Sequence, residues 1–156
     1  MTTLKRLDNR RVPGKSGMLC AFLVVRDEAR RLPFLLDYHR RLGVDCFYVC
    51  DNGSLDETIG YLLQQDDCFV YQTSESFGDA GCGMNWINAM IGRHGEGNWC
   101  LFIDADELFV FPHCERIGLK GFCRFLEEAD HDAVFAIMVD MYAAGPVAEA
   151  VYVTGT

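Results

Sequence analysis

Five short apolar runs, "MLCAFLVV" (18–25), "CFYVCD" (46–51), "CFVYQ" (68–72), "WCLFID" (99–104) and "AVFAIMV" (133–139), constrain this chain more than any other feature. Each is too short to be the apolar stripe of a helix and lacks polar alternation. Each therefore reads as a strand buried on both faces. The stretches between them have helical spacing. Pro33 lies near a first turn, Leu35, Tyr38, His39 and Leu42 share a face, and Gly43 is a stop. Ser54 and Glu57 form an S-x-x-E capping box, with Ile59, Leu62 and Leu63 supplying the apolar face of a helix to about Gln65. Further helices are expected over about 80–93 and 119–128. Alternating strands and helices predict an α/β, Rossmann-like fold, a mostly parallel sheet with helices on both faces, in one domain over 18–156.

Charge narrows the function. The 156 residues carry a formal −9, but residues 1–17 hold Lys5, Arg6, Arg10, Arg11 and Lys15 against Asp8 alone, a local +4 that leaves −13 for the rest. An acidic body disfavours binding to a phosphate backbone, so a nucleic-acid partner is not expected, whereas a metal ion suits it. The basic segment is expected to be a flexible tail, able to touch anionic lipid as a peripheral contact. No run reaches the ~20 apolar residues of a membrane span. "MLCAFLVV" runs into "RDEARR" without a small-residue cleavage site, so the expected location is cytoplasmic. The eight cysteines form no C-x-x-C, and Cys20, Cys46, Cys50 and Cys100 fall in apolar strands, where a reduced thiol packs as a small hydrophobe.

In an open α/β sheet, ligands bind outside the carboxyl ends of the strands. Polar residues gather there. The first run ends in Arg26-Asp27-Glu28, the second in Asp51-Asn52, and the fourth in Asp104-Ala105-Asp106-Glu107. In an extended chain Asp104 and Asp106 point to one face and Glu107 to the other. Two carboxylates on one side suit Mg²⁺ or Mn²⁺, which would also take phosphate oxygens and stabilise charge on a diphosphate leaving group. Other readings fail on spacing. An EF-hand starting at Asp104 would have Leu108 and Phe109 where a ligand and a glycine are needed, and His113-Cys114 has no second pair for zinc. "GDAGCG" (78–83) matches neither the dinucleotide fingerprint nor a P-loop, and reads as a flexible turn before a helix.

With these residues assembled, the chain resembles glycosyltransferase family 2, in its family 2-like bacterial branch with the GT-A fold. Three segments carry the resemblance in order: "VVRDEARRLPFLLDYHRRLGVD", "VCDNGSLDET" and the D-x-D segment "WCLFIDADELFVFP", with a weaker continuation through "VDMYAAGPVAEAVY". The resemblance implies a metal-dependent transfer of a sugar from a UDP- or GDP-linked donor to an acceptor hydroxyl. It implies that Asp51 contacts the nucleoside, Asp104 the ribose or metal, and Asp106 the metal gripping the diphosphate. Arg26, Glu28, Asn52 and Asn85 complete the implied donor site. Asn52 stands where many members have a second Asp, and Asp27 replaces the usual Asn. The acceptor site and the base of inverting members lie well beyond D-x-D in that family, and this chain runs only fifty residues past Asp106. The expectation is a donor-binding half, with Asp140 the candidate base. The competing expectations are a nucleotidyltransferase of similar fold and a catalytically incomplete nucleotide-sugar-binding fragment.

Overall fold

The computed structural model describes residues 3–14, 16–141, 145, 146 and 153. Most of the weak continuation of the resemblance, residues 142–144 and 147–152, lies outside the described residues.

The elements follow in the order β1 (Lys5–Arg6), β2 (Leu19–Val25), α1 (Leu32–Leu42), β3 (Cys46–Asp51), α2 (Thr58–Leu62), β4 (Cys68–Gln72), α3 (Met84–His94), β5 (Trp99–Phe102) and α4 (Cys114–Glu128). One five-stranded sheet runs β1-β4-β3-β2-β5. β2 pairs in parallel with β3 and β5, β3 pairs in parallel with β4, and β1 is an antiparallel edge. The fold is thus α/β with a mostly parallel sheet, compatible with a Rossmann-like architecture.

The apolar runs become strands because both sheet faces are covered. Leu19, Ala21, Leu23, Phe47, Val49 and Val70 face one layer, where α1 contributes Leu32, Leu35 and Leu36, α2 contributes Leu62, and α4 contributes Leu119 and Cys123. Cys20, Phe22, Tyr48, Cys50 and Phe69 face the other, closed by Trp86, Ile87 and Met90 of α3. The chain steps from β2 through β3 to β4 with helices on the first face, then returns to β5 with α3 on the opposite face. Reversing direction requires changing face if crossovers stay right-handed. That reversal creates a switch point between β2 and β5.

Helix ends follow local chemistry. Pro33 sits in the first turn of α1, and Gly43 ends it with φ +114 and its N–H donating to the carbonyls of His39 and Arg40. The capping box does not form. α2 begins only at Thr58, whose N–H donates to Asp56 Oδ1 at 2.9 Å, and Ser54 Oγ instead accepts the Asp27 N–H. Ser54 and Asp56 are committed to bonds with the backbone after β2, through the Asp27 and Ala29 N–H groups.

Three further expectations are corrected. The supposed flexible tail includes β1, and the Asp8 carboxylate accepts from the Arg6 guanidinium at 2.7 Å and from the backbone N–H groups of Arg10 and Val70. Arg6 is thereby ion-paired, while Lys5 and Arg11 remain exposed. β5 stops at Phe102, two residues before Asp104, and as an edge strand it is only half buried. "AVFAIMV" forms no strand: Phe135 and Ile137 are 100% and 90% exposed. Strand-forming residues need a neighbouring strand to pack against, and among the described residues this segment pairs with none. Among the described residues no helix is long and apolar enough to cross a membrane.

Candidate functional site

A cleft of about 220 Å³ opens at the switch point, lined by Val24 and Glu28 after β2, by Phe102, Asp104, Ala105 and Asp106 at the end of β5, and by Phe77, Cys82 and Ile87. Pockets for small organic ligands usually run to ~300–1,000 Å³. This one is smaller than that range.

The β5 exit is a turn rather than continued strand. Glu107 N–H donates to the Asp104 carbonyl at 3.2 Å, and Glu107 Oε2 accepts the Asp104 N–H at 2.9 Å. Ala105 is buried beneath, while Asp104 and Asp106 are exposed on the cleft side. The expected strand alternation therefore does not set these directions. The turn does, and it brings Glu107 back to its own backbone instead of across the sheet. Partial burial, with the charges of Glu107 and Asp106 nearby, holds the Asp104 carboxyl above the usual range. A cation between Asp104 and Asp106 would relieve that repulsion. Among the described residues, no group of three or more His, Cys, Asp or Glu side chains could hold a metal by itself, so phosphate oxygens would have to complete any coordination.

The β2 exit is stitched to the β3 exit. Asp27 adopts a left-handed φ of 56°, and its Oδ1 accepts the Leu55 N–H at 2.7 Å. The Glu28 N–H donates to Thr58 Oγ1 at 2.8 Å and the Ala29 N–H to Asp56 Oδ2 at 3.1 Å. These bonds fix the backbone that carries Glu28 to the cleft. Its carboxylate pairs with Arg31 at 2.8 Å, so it arrives partly neutralised. Arg26 is exposed beside Asp27, at 3.9 Å.

Asp51 and Asn52 are turned inward. Asp51 is fully buried and accepts from the Gly53 N–H, the Ser54 N–H and Gln72 Nε2, at 3.0–3.3 Å. Asn52 Nδ2 donates to the carbonyls of Thr73 and Glu75. Both shape the floor at the end of β3 and neither lines the cleft. Asn85 is exposed in the first turn of α3, and Asp140 is exposed in the segment after α4; neither lines the cleft.

Sequence reasoning missed the third wall. The loop before α3 brings Phe77 and Cys82 to the cleft, and Gly83, at φ +82, packs tightly: a Cβ there would lie 3.1 Å from both the Phe77 ring and Val24 Cγ2 and would push them aside. The glycine run at 78–83 was the available signal. The run is a turn before α3, as expected, and its last glycine also packs closely against the wall.

Over 107 residues the chain is 29% identical to a glycosyltransferase family 92 protein of Oryza sativa subsp. japonica, a match taking in 63% of this chain and 17% of that protein. The chain therefore spans less than a fifth of this relative's length. The likeness is to a glycosyltransferase, and it does not extend to family 2 in particular. No protein-family model matches the chain.

Proposed function

We propose that this chain carries the donor half of a GT-A-type glycosyltransferase, binding the diphosphate of a UDP- or GDP-linked sugar at the cleft between β2 and β5. The observation that carries the reading is the meeting of Glu28, Asp104 and Asp106 at the switch point of the sheet, with Asp104 and Asp106 crowded and without a cationic partner in the salt bridges of the described residues. Likeness to a glycosyltransferase supports the same chemistry.

Asp104 and Asp106 would hold Mn²⁺ or Mg²⁺. Bound there, the ion supplies charge stabilisation for a departing nucleoside diphosphate. The chain's own residues position the rest: the Glu107-locked turn carries both carboxylates, and Phe77 and Phe102 give the cleft apolar walls. In this reading Asp51 and Asn52 act by holding the β3 exit in shape for the nucleoside rather than by direct contact. The transferred sugar passes to an acceptor hydroxyl.

Thermal unfolding tests this reading. Mn²⁺ with UDP or GDP raises the midpoint of the wild-type chain, and Asp106→Ala removes the rise. No shift with either nucleotide in the presence of the metal would sink the proposal.

A further inference from the structure

Three cysteines stand side by side across three adjacent strands. Cys46 of β3 is in register with Cys20 of β2, and Cys20 is in register with Cys100 of β5. In-register residues of parallel strands point to the same face, so the three cysteines stand in a row along the hydrogen-bonding direction of the sheet, with the Cys100 thiol 3.8 Å from the Gly95 and Asn98 carbonyls. The row runs from the interior to the surface: Cys20 and Cys46 are 1% and 2% exposed, and Cys100, on the edge strand, is exposed. The Cys46 thiol donates to Cys20 Sγ at 3.4 Å. Adjacent strands are ~4.8 Å apart, inside the Cα separation a disulfide tolerates, and the two sulfurs need to close by roughly 1.4 Å to bond. None of the three has a part in the proposed sugar transfer.

We propose that Cys100, Cys20 and Cys46 form a peroxide-reactive row in which oxidation enters at Cys100 and comes to rest as a Cys20–Cys46 disulfide. The Cys100 thiolate attacks one oxygen of hydrogen peroxide; the O–O bond breaks, hydroxide leaves as water, and Cys100 becomes a sulfenic acid. The Cys20 thiolate attacks the Cys100 sulfur, forming a Cys20–Cys100 disulfide and releasing a second water. The Cys46 thiolate then attacks the Cys20 sulfur and expels Cys100 as thiolate. The net change oxidises two thiols to one disulfide and reduces one peroxide to two waters. A row suits the last step, because attacking, central and leaving sulfurs must lie nearly in line. The hydrogen bond from Cys46 holds the Cys20 thiol below its ordinary pKa, which favours Cys20 as the attacking group in the second step. Burial raises the Cys100 thiol, and the bond to Cys20 together with burial raises the Cys46 thiol, so the first and last steps should quicken as pH rises.

The test treats the reduced, folded chain with equimolar hydrogen peroxide, alkylates the remaining thiols and maps the peptides. The expected result is two fewer alkylated thiols and a peptide pair joining Cys20 to Cys46. Cys100→Ser, at an exposed position, should keep the native circular dichroism and slow formation of the bond at least tenfold. Cys46→Ala should stop the sequence at a Cys20–Cys100 link; if that variant does not fold, the wild-type map and the Cys100→Ser rate decide. A wild-type chain that keeps all its thiols, a bond joining other cysteines, or Cys100→Ser oxidising at the wild-type rate would overturn the proposal.

Discussion

His39 occupies a position on the buried stripe of α1 where an aliphatic side chain would be at home. Its Nδ1 pairs with the Leu35 carbonyl at 2.9 Å, while its Nε2 is buried with no hydrogen-bond partner. Burial pushes the imidazole pKa down, against a smaller upward pull from the Leu35 carbonyl. The unfolded chain therefore takes up its proton first, near pH ~6.5. The stabilising contribution is complete above that value and is lost as pH falls towards the lower folded-state pKa, at about 1.4 kcal/mol per unit of separation. His94, stacked on Tyr48 and lowered by burial and by the charges of Arg6 and Arg93, acts in the same direction. The urea midpoint should drop between about pH 7.5 and pH 5.5, and His39→Leu should shrink that drop. An equal drop in the variant would refute the assignment. Asp106→Asn removes one of the charges raising the Asp104 pKa, so it should raise the metal-free melting midpoint while abolishing the response to Mn²⁺ and nucleotide. Calorimetry with and without metal separates the two effects.

At the scale of elements, the loop into α3 and the first strand are the parts whose disturbance should be most informative. Gly83→Ala puts a Cβ into Phe77 and Val24 at a backbone angle that side chains rarely adopt, and should cost about 1–3 kcal/mol. Because the displaced groups line the cleft, nucleotide affinity should fall alongside stability, measured by denaturation and titration together. The Asp8 carboxylate is pulled upward by burial, but its bonds to Arg6 and to the Val70 and Arg10 amides outweigh this and hold its pKa low. Asp8→Ala leaves the Val70 and Arg10 amides without that acceptor, while Arg6 keeps its bond to the Arg10 carbonyl, at a cost of about 1–3 kcal/mol. Hydrogen exchange should then quicken at the Val70 amide, where β1 meets β4, and leave the amides between β2 and β3 protected.

At the scale of the molecule, the sheet has two different ends. β1 closes one edge, whereas β5 is paired only with β2 and leaves its other edge unpaired among the described strands. Beyond α4 the chain exposes Phe135, Ile137, Met138, Val139 and Met141. An unpaired edge and an exposed apolar segment of strand-forming residues are together a recipe for association. Light scattering should rise with protein concentration, and Phe135→Glu should suppress the rise without changing the melting midpoint. A variant that scatters as the wild type does would show that the segment is not the source.

The sequence by itself determined the α/β class, the strands β2, β3 and β4, the span of α1, the presence of α3, whose start falls four residues later than expected, and the edge of the sheet where polar residues gather. Those features depend on local periodicity, and on Gly43 and Pro33, whose effects are local as well. Only the tertiary structure decided what each acid at that edge does. Asp51 and Asp104 both follow apolar runs, yet Asp51 is buried under three donors while Asp104 faces the cleft, because one lies at the inner end of β3 and the other beyond an edge strand that ends early. The same dependence on neighbours explains "AVFAIMV". Its composition permits a strand, but a strand exists only where a second backbone supplies the hydrogen bonds and a layer of side chains covers its face. Composition carries the propensity; the partner comes from the fold.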